Sequence, residues 1–80
     1  MTIKILAFGI AKEILGDASI QRSFEQELNV VGIKDWLETQ YPRFKSLSSF
    51  AIAINGEYAK PDSIIKSGDE VAIIPPVSGG

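Results

Sequence analysis

The sequence predicts an α+β fold in which one principal helix packs on a mixed β-sheet. Three observations carry that expectation. Residues 2–8, 50–54 and 70–74 are β-branched and apolar, and residues 19–28 alternate, so all four read as strands. Val30–Gln40 carries Val30, Ile33 and Leu37 at helical spacing. Asn55-Gly56, set between two strand-like segments, is a strong short-range hairpin signal.

Taken in order, residues 2–8 (TIKILAF) place apolar side chains on both faces apart from Lys4, which predicts a central strand buried on two sides. In residues 9–15 (GIAKEIL), Ile10 and Ile14 lie four apart, and Gly16 stands where a glycine ends a helix. One to two turns of helix are expected there. In residues 19–28, Ile20, Phe24 and Leu28 share a face with Arg22 and Gln26, while the other face is polar. That pattern predicts a half-buried edge strand, and the short link to the first strand predicts an antiparallel pair.

Asn29 is the expected N-cap of the main helix, and Pro42 ends it, because the residue before a proline avoids the α region. Gly32 is a weak point inside it, costing about 1 kcal/mol against alanine. Residues 43–49 form a polar connection anchored by Phe44 and Leu47. After strand 50–54 and the Asn55-Gly56 turn, residues 57–60 return. Pro61-Asp62 turns again, Ile64 and Ile65 are expected to plug the core, and Ser67-Gly68-Asp69 leads into strand Glu70–Ile74.

Composition excludes several function classes. Eighty residues make one small domain, taken as 1–80, and 45% of them are hydrophobic, enough for a modest core. There is no Cys and no His, so disulfides, thiolate or imidazole metal sites and Ser-His or Cys-His nucleophiles are all ruled out. No metal is expected. Net charge is −2 with scattered Lys and Arg, which argues against nucleic acid and anionic membrane as partners. No apolar run reaches the roughly 20 residues of a membrane span, and Lys4 interrupts the only apolar stretch near the start. A cytoplasmic protein is the expectation.

The final stretch, DEVAIIPPVSGG, carries the chemistry. Pro75 and Pro76 cannot donate to a sheet ladder, so they end the strand and project the chain outward. Val77, Ser78, Gly79 and Gly80 follow, and residues 75–80 read as an extended, flexible tail. About six residues reach roughly 20 Å when extended. With no side chain on Gly79 or Gly80, such a tail can enter a channel too narrow for a Cβ and deliver a carboxylate to a distant site. A free terminal carboxylate is ionised at neutral pH and becomes an acyl donor only after activation. In a chain without Cys, Gly80 is the one plausible place to load sulfur.

The element order, with FGIAKEILG after the first strand, YP after the helix, the AINGEYA hairpin and SGDEVAIIPPVSGG, resembles the ubiquitin-like β-grasp sulfur carriers. Among these it is most similar to the small subunits of molybdopterin synthases. The thiamine-pathway carriers are similar at the tail but are shorter, and they typically lack the helix after strand one and the PP pair. The resemblance implies a β-grasp fold and a cycle centred on Gly80. A ubiquitin-activating-type enzyme uses ATP to adenylate its carboxylate, and a sulfur donor converts the adenylate to a thiocarboxylate. The tail then enters the large synthase subunit, in a heterotetramer of two small and two large subunits, where sulfur passes to a pterin precursor. No tightly bound cofactor is implied; the glycyl adenylate and thiocarboxylate are covalent states, and catalytic groups come from the partners. Pro75, Pro76, Val77, Ser78 and Gly79 are the implied channel-binding residues.

Other residues admit plainer readings. Phe8 and Ile74 are either an apolar docking patch for the partner subunit or ordinary core. Trp36 and Tyr41 read as packing. Lys12, Glu13, Arg22 and Arg43 read as solvated charge, and Asp69 reads as a turn residue rather than an acid catalyst. The alternatives for the whole chain are a carrier for thiamine or another thiolated product, a ubiquitin-like modifier of lysines, and an interaction module without tail chemistry.

Overall fold

The computed structural model describes residues 1–47 and 49–76. The tail expected at Val77, Ser78, Gly79 and Gly80 lies outside the described residues.

Among the described residues ten elements follow one another: β1 (Thr2–Ala7), α1 (Ile10–Leu15), β2 (Ser19–Ser23), β3 (Leu28–Asn29), α2 (Val30–Gln40), a 3-10 turn (Pro42–Ser46), β4 (Ala51–Ile54), β5 (Glu57–Tyr58), β6 (Ile64–Ile65) and β7 (Glu70–Ile74). The main sheet is mixed, in the order β2-β1-β7-β4-β5. β1 and β7 run parallel at its centre, and the remaining pairs are antiparallel. β3 and β6 form a separate two-stranded ribbon at the start of α2.

Local chemistry explains the boundaries. Gly16 caps α1 in the left-handed region at φ 86°, where its N–H donates to Lys12 O. The Asn29 side chain accepts from Gly32 N–H at 2.8 Å, satisfying one of the free donors at the start of α2. At Gly32 a Cβ would meet Leu28 Cδ2 at 3.2 Å and Asn29 Oδ1 at 3.4 Å. The expected weak point is thus also the place where β3 and the cap crowd the helix. Tyr41, before Pro42, has left the α region, as expected. Asn55 and Gly56 take positive φ of 51° and 88°, the two-residue turn that fits a twisted hairpin.

The core lies between one face of the sheet and α2. Ile3, Ile5, Ile52, Val71 and Ile73 from the sheet meet Ile33 and Leu37 from α2, and Phe44 and Ile65 close the ends, all almost fully buried. Trp36 and Tyr41 are half-buried in an edge-on aromatic row running Phe24–Trp36–Tyr41–Phe44 with centroid separations of 5.2, 6.4 and 6.2 Å. They pack, as their spacing suggested.

Three expectations are corrected. Residues 19–28 are two strands, not one. β2 pairs with β1 as far as Thr2↔Ser23, Phe24 N–H reaches Met1 O at 2.7 Å, and the β1 ladder ends there. The chain bends, and Leu28 pairs with Ile65 instead. β1 is central, but it is buried on one side only. Ile3, Ile5 and Ala7 face the helices, while Thr2 and Lys4 are exposed and Leu6 is half-buried, because among the described residues no second layer covers that face. Of the two isoleucines expected in the core, only Ile65 is buried; Ile64 is 45% exposed, since adjacent strand residues point to opposite faces.

Candidate functional site

The last described residues follow a strand supported on both edges. β7 is flanked on both sides: Ala7 is the Cα partner of Ile73 on β1, and Ala51 is the partner of Ile74 on β4. The last described residues, Pro75 and Pro76, are half-buried where β7 leaves the sheet. Pro75 lies against Gly9, with its Cγ 3.5 Å from the position of a Cβ at that glycine. Proline has no N–H for a ladder, so regular pairing ends at Ile74. A strand with two neighbours does not move easily, so the point at which the described chain leaves the sheet is fixed.

Around that exit the uncovered face of the sheet is apolar. The register puts Leu6, Ala72 and Ala53 in one row across β1, β7 and β4, and Ile74 with Ala51 in the next. Phe8 follows β1 and is 53% exposed, while Ile74 and Ala51 are half-buried. Tyr58, the partner of Ala53 on β5, is 74% exposed. Phe8 and Ile74 therefore stand at the surface rather than in the core, beside the point where the tail departs. Sequence reasoning missed Leu6, Ala51, Ala72 and Tyr58. Period-2 alternation would have put them on this face had the burial of β1 been read as one-sided.

Away from this face, α2 borders a shallow groove of about 340 Å³ with Leu47, Ser49 and Phe50. It is lined by Val31, Leu47 and Phe50 with Lys34, Asp35 and Glu38, and Lys34 Nζ sits 4.8 Å above the Phe50 ring. Among the described residues no three acidic side chains are grouped as metal ligands would be, and no helix is long and apolar enough to cross a membrane. Lys12, Glu13, Arg22 and Arg43 are exposed, as expected of solvated charges.

Asp69 is a turn residue. Its Oδ2 accepts Lys66 N–H at 2.8 Å and its Oδ1 accepts Asn55 Nδ2 at 3.0 Å, while Asn55 Oδ1 accepts Glu70 N–H at 2.9 Å. The Lys66 backbone donor, then the Asn55 amide, hold its carboxyl below the usual value; slight desolvation opposes them and the Lys66 charge assists. The network ties the β4–β5 hairpin to the turn before β7, at the end of the sheet opposite Pro75.

Comparison with known proteins agrees with this geometry. Residues 5–80 match the model of the ThiS family. The molybdopterin synthase sulfur carrier subunit of Dictyostelium discoideum is 42% identical over 81 residues, covering 96% of this chain and 94% of that one. Among solved structures, SAMP1 from Haloferax volcanii superposes with a TM-score of 0.81 at 25% identity over all of both chains. A chain in the complex of subunits 1 and 2 of the Helicobacter pylori molybdopterin-converting factor gives 0.68 at 22% over all of both, which speaks to fold alone. The fold is the ubiquitin-like β-grasp. The family match runs from within β1 through β7 and on to Gly80, and the sheet pairs β1 directly with β7; the chain belongs to the ThiS family.

Proposed function

We propose that this protein is the sulfur-carrier subunit of a molybdopterin synthase, with Gly80 as the carboxyl terminus that carries the sulfur. The observation that carries the reading is the 42% identity, over nearly the whole chain, to a relative named as that subunit. Supporting it physically, β7 holds its exit between two strands, ends in Pro75 and Pro76, and is bordered by an uncovered apolar face.

The cycle balances on one carboxylate. ATP and the Gly80 carboxylate give a glycyl adenylate and pyrophosphate on a ubiquitin-activating-type enzyme. A sulfur donor displaces AMP to leave a thiocarboxylate. That thioacid gives its sulfur to a pterin precursor in the large subunit, and water restores the carboxylate. No Cys or His of this chain can take part, because there is none. Pro75, Pro76, Val77, Ser78 and Gly79 are the segment threaded into the partner, held mainly through its backbone. Phe8 and Ile74, with Leu6 and Ala72 in the adjacent row, form the face on which the large subunit docks. A cytoplasmic location fits the partners this cycle needs.

The test starts from protein with a chemically installed Gly80 thiocarboxylate. Mixed with a competent large subunit and the cyclic pterin precursor, it is expected to yield dithiolene product without ATP, because activation is already stored in the thioacid. Failure there, together with sulfur delivery to a thiazole synthase, would assign the thiamine branch instead. Lysine conjugates without detectable thiocarboxylate in cells would assign a protein modifier.

A further inference from the structure

From the contact between Gly9 and Pro75 we infer that Gly9 is a positioning residue for the tail: its backbone turn seats the Pro75 ring and so sets the direction in which the chain leaves β7. Three observations meet at this residue. Gly9 has φ 55° and ψ −130°, a combination essentially restricted to glycine. Its carbonyl accepts Lys12 N–H at 3.1 Å and Glu13 N–H at 3.4 Å, so the same peptide starts α1. A Cβ there would stand 3.5 Å from Pro75 Cγ, which is contact rather than clash.

The consequence follows from the register. β1 and β7 are parallel, with Ala7 beside Ile73, so Gly9 leaves the sheet level with Pro75. Pro75 has a fixed φ and no N–H, so it cannot donate a ladder bond to either neighbouring strand, and the fit of its ring matters more. What remains is shape: the turn at Gly9 on one side and β4 on the other. A side chain at position 9 brings little steric conflict of its own. It forces φ toward negative values, and the peptide that then rotates is the one against the proline. Strain at position 9 is therefore passed to the base of the tail.

This role deepens the carrier reading and rests on it for its meaning in sulfur transfer, so the test has one arm that does not depend on that reading. The chain has no Cys, which lets Ser78→Cys carry a single nitroxide label. Paramagnetic broadening of backbone amides then reports where the tail goes. The expected result is a directional pattern in the parent, a changed pattern in Gly9→Ala, and the pattern of Pro75→Ala in the double variant Gly9→Ala/Pro75→Ala. If Gly9→Ala does not fold, Pro75→Ala alone decides: its pattern is expected to spread relative to the parent. An unchanged pattern in either single variant overturns the proposal.

The second arm measures single-turnover sulfur transfer from the unlabelled thiocarboxylate at saturating large subunit and at a temperature where every variant is folded. Misplacing a reacting group by about 1 Å costs on the order of a hundredfold, so Gly9→Ala is expected to slow transfer roughly ten- to a hundredfold with affinity for the large subunit little changed. Its effect should largely vanish on the Pro75→Ala background, the non-additivity expected of groups acting through one contact. Multiplicative effects would make Gly9 a helix cap only and overturn the proposal. If the parent thiocarboxylate transfers nothing, the carrier reading fails while the labelling arm still decides the role of Gly9.

Discussion

Asp69 and Asn29 each do one thing through one or two hydrogen bonds, and both are open to direct test. Asp69 holds the turn before β7 as a carboxylate, with its folded pKa depressed chiefly by the Lys66 N–H. A group whose folded pKa is lowered stabilises the fold fully above its unfolded value, near 3.9, and loses that stabilisation as pH falls through the lower folded value. Asp69→Asn is therefore expected to be less stable than the parent above about pH 4, with the gap narrowing on further acidification. Urea unfolding from pH 6 downward checks this; a gap constant with pH would remove the charge from the account. At Asn29, replacement by Ala deletes the acceptor for Gly32 N–H and is expected to cost about 1 kcal/mol, read from the same urea curves.

At the scale of elements, the aromatic row joins α2, the 3-10 turn and Phe50 just before β4, and Phe44 is its hub, fully buried between Tyr41 and Phe50 at 6.2 and 5.3 Å. Phe44→Ala is expected to cost about 3–5 kcal/mol, because the turn cannot collapse into the space of a ring, and calorimetry of both proteins would reveal it. A cost under about 1 kcal/mol would mean that the turn is not an anchor. Elements of this kind were legible in the sequence because their signals are local: Asn29 and Pro42 bracket α2, Gly16 ends α1, and Asn55-Gly56 makes the hairpin. The break between β2 and β3 was not legible. Phe24 and Leu28 both pack against the core, so the alternation continues across a bend that depends on where β1 stops and where β6 waits. The one-sided burial of β1 was hidden for a related reason. Leu6 and Phe8 look like core in a strand, and only the number of layers in the fold decides that they are not. Of the site, the glycine pair and the prolines could be read directly, whereas Gly9 could not, since its role lies in a torsion angle and in a neighbour 66 positions along the chain.

For the molecule as a whole, the sheet has two apolar faces with different tasks, and β1 and β7 contribute to both. The face under α2 is closed: Ile73 is fully buried there. The other face is uncovered, with Phe8 exposed and Ile74 half-buried beside the exit of the tail. A chain of this size has apolar surface to spare only if something else covers it, since exposed contiguous patches mark interaction sites. If the large subunit is that partner, substitutions on the two faces must separate folding from binding. Ile73→Ala is expected to lose about 2–5 kcal/mol of stability through the cavity it leaves, lowering the melting temperature by roughly 8 °C or more. Phe8→Ser should lower the melt far less than Ile73→Ala, because a side chain already 53% exposed has less to lose by removal. It should weaken the complex with the large subunit tenfold or more, as expected for an aromatic anchor worth upward of about 1.4 kcal/mol. Titration calorimetry against the large subunit and a thermal melt of each variant give the four numbers. Undiminished binding by Phe8→Ser would remove this face as the docking surface, and a large drop in its melting temperature would return Phe8 to the core.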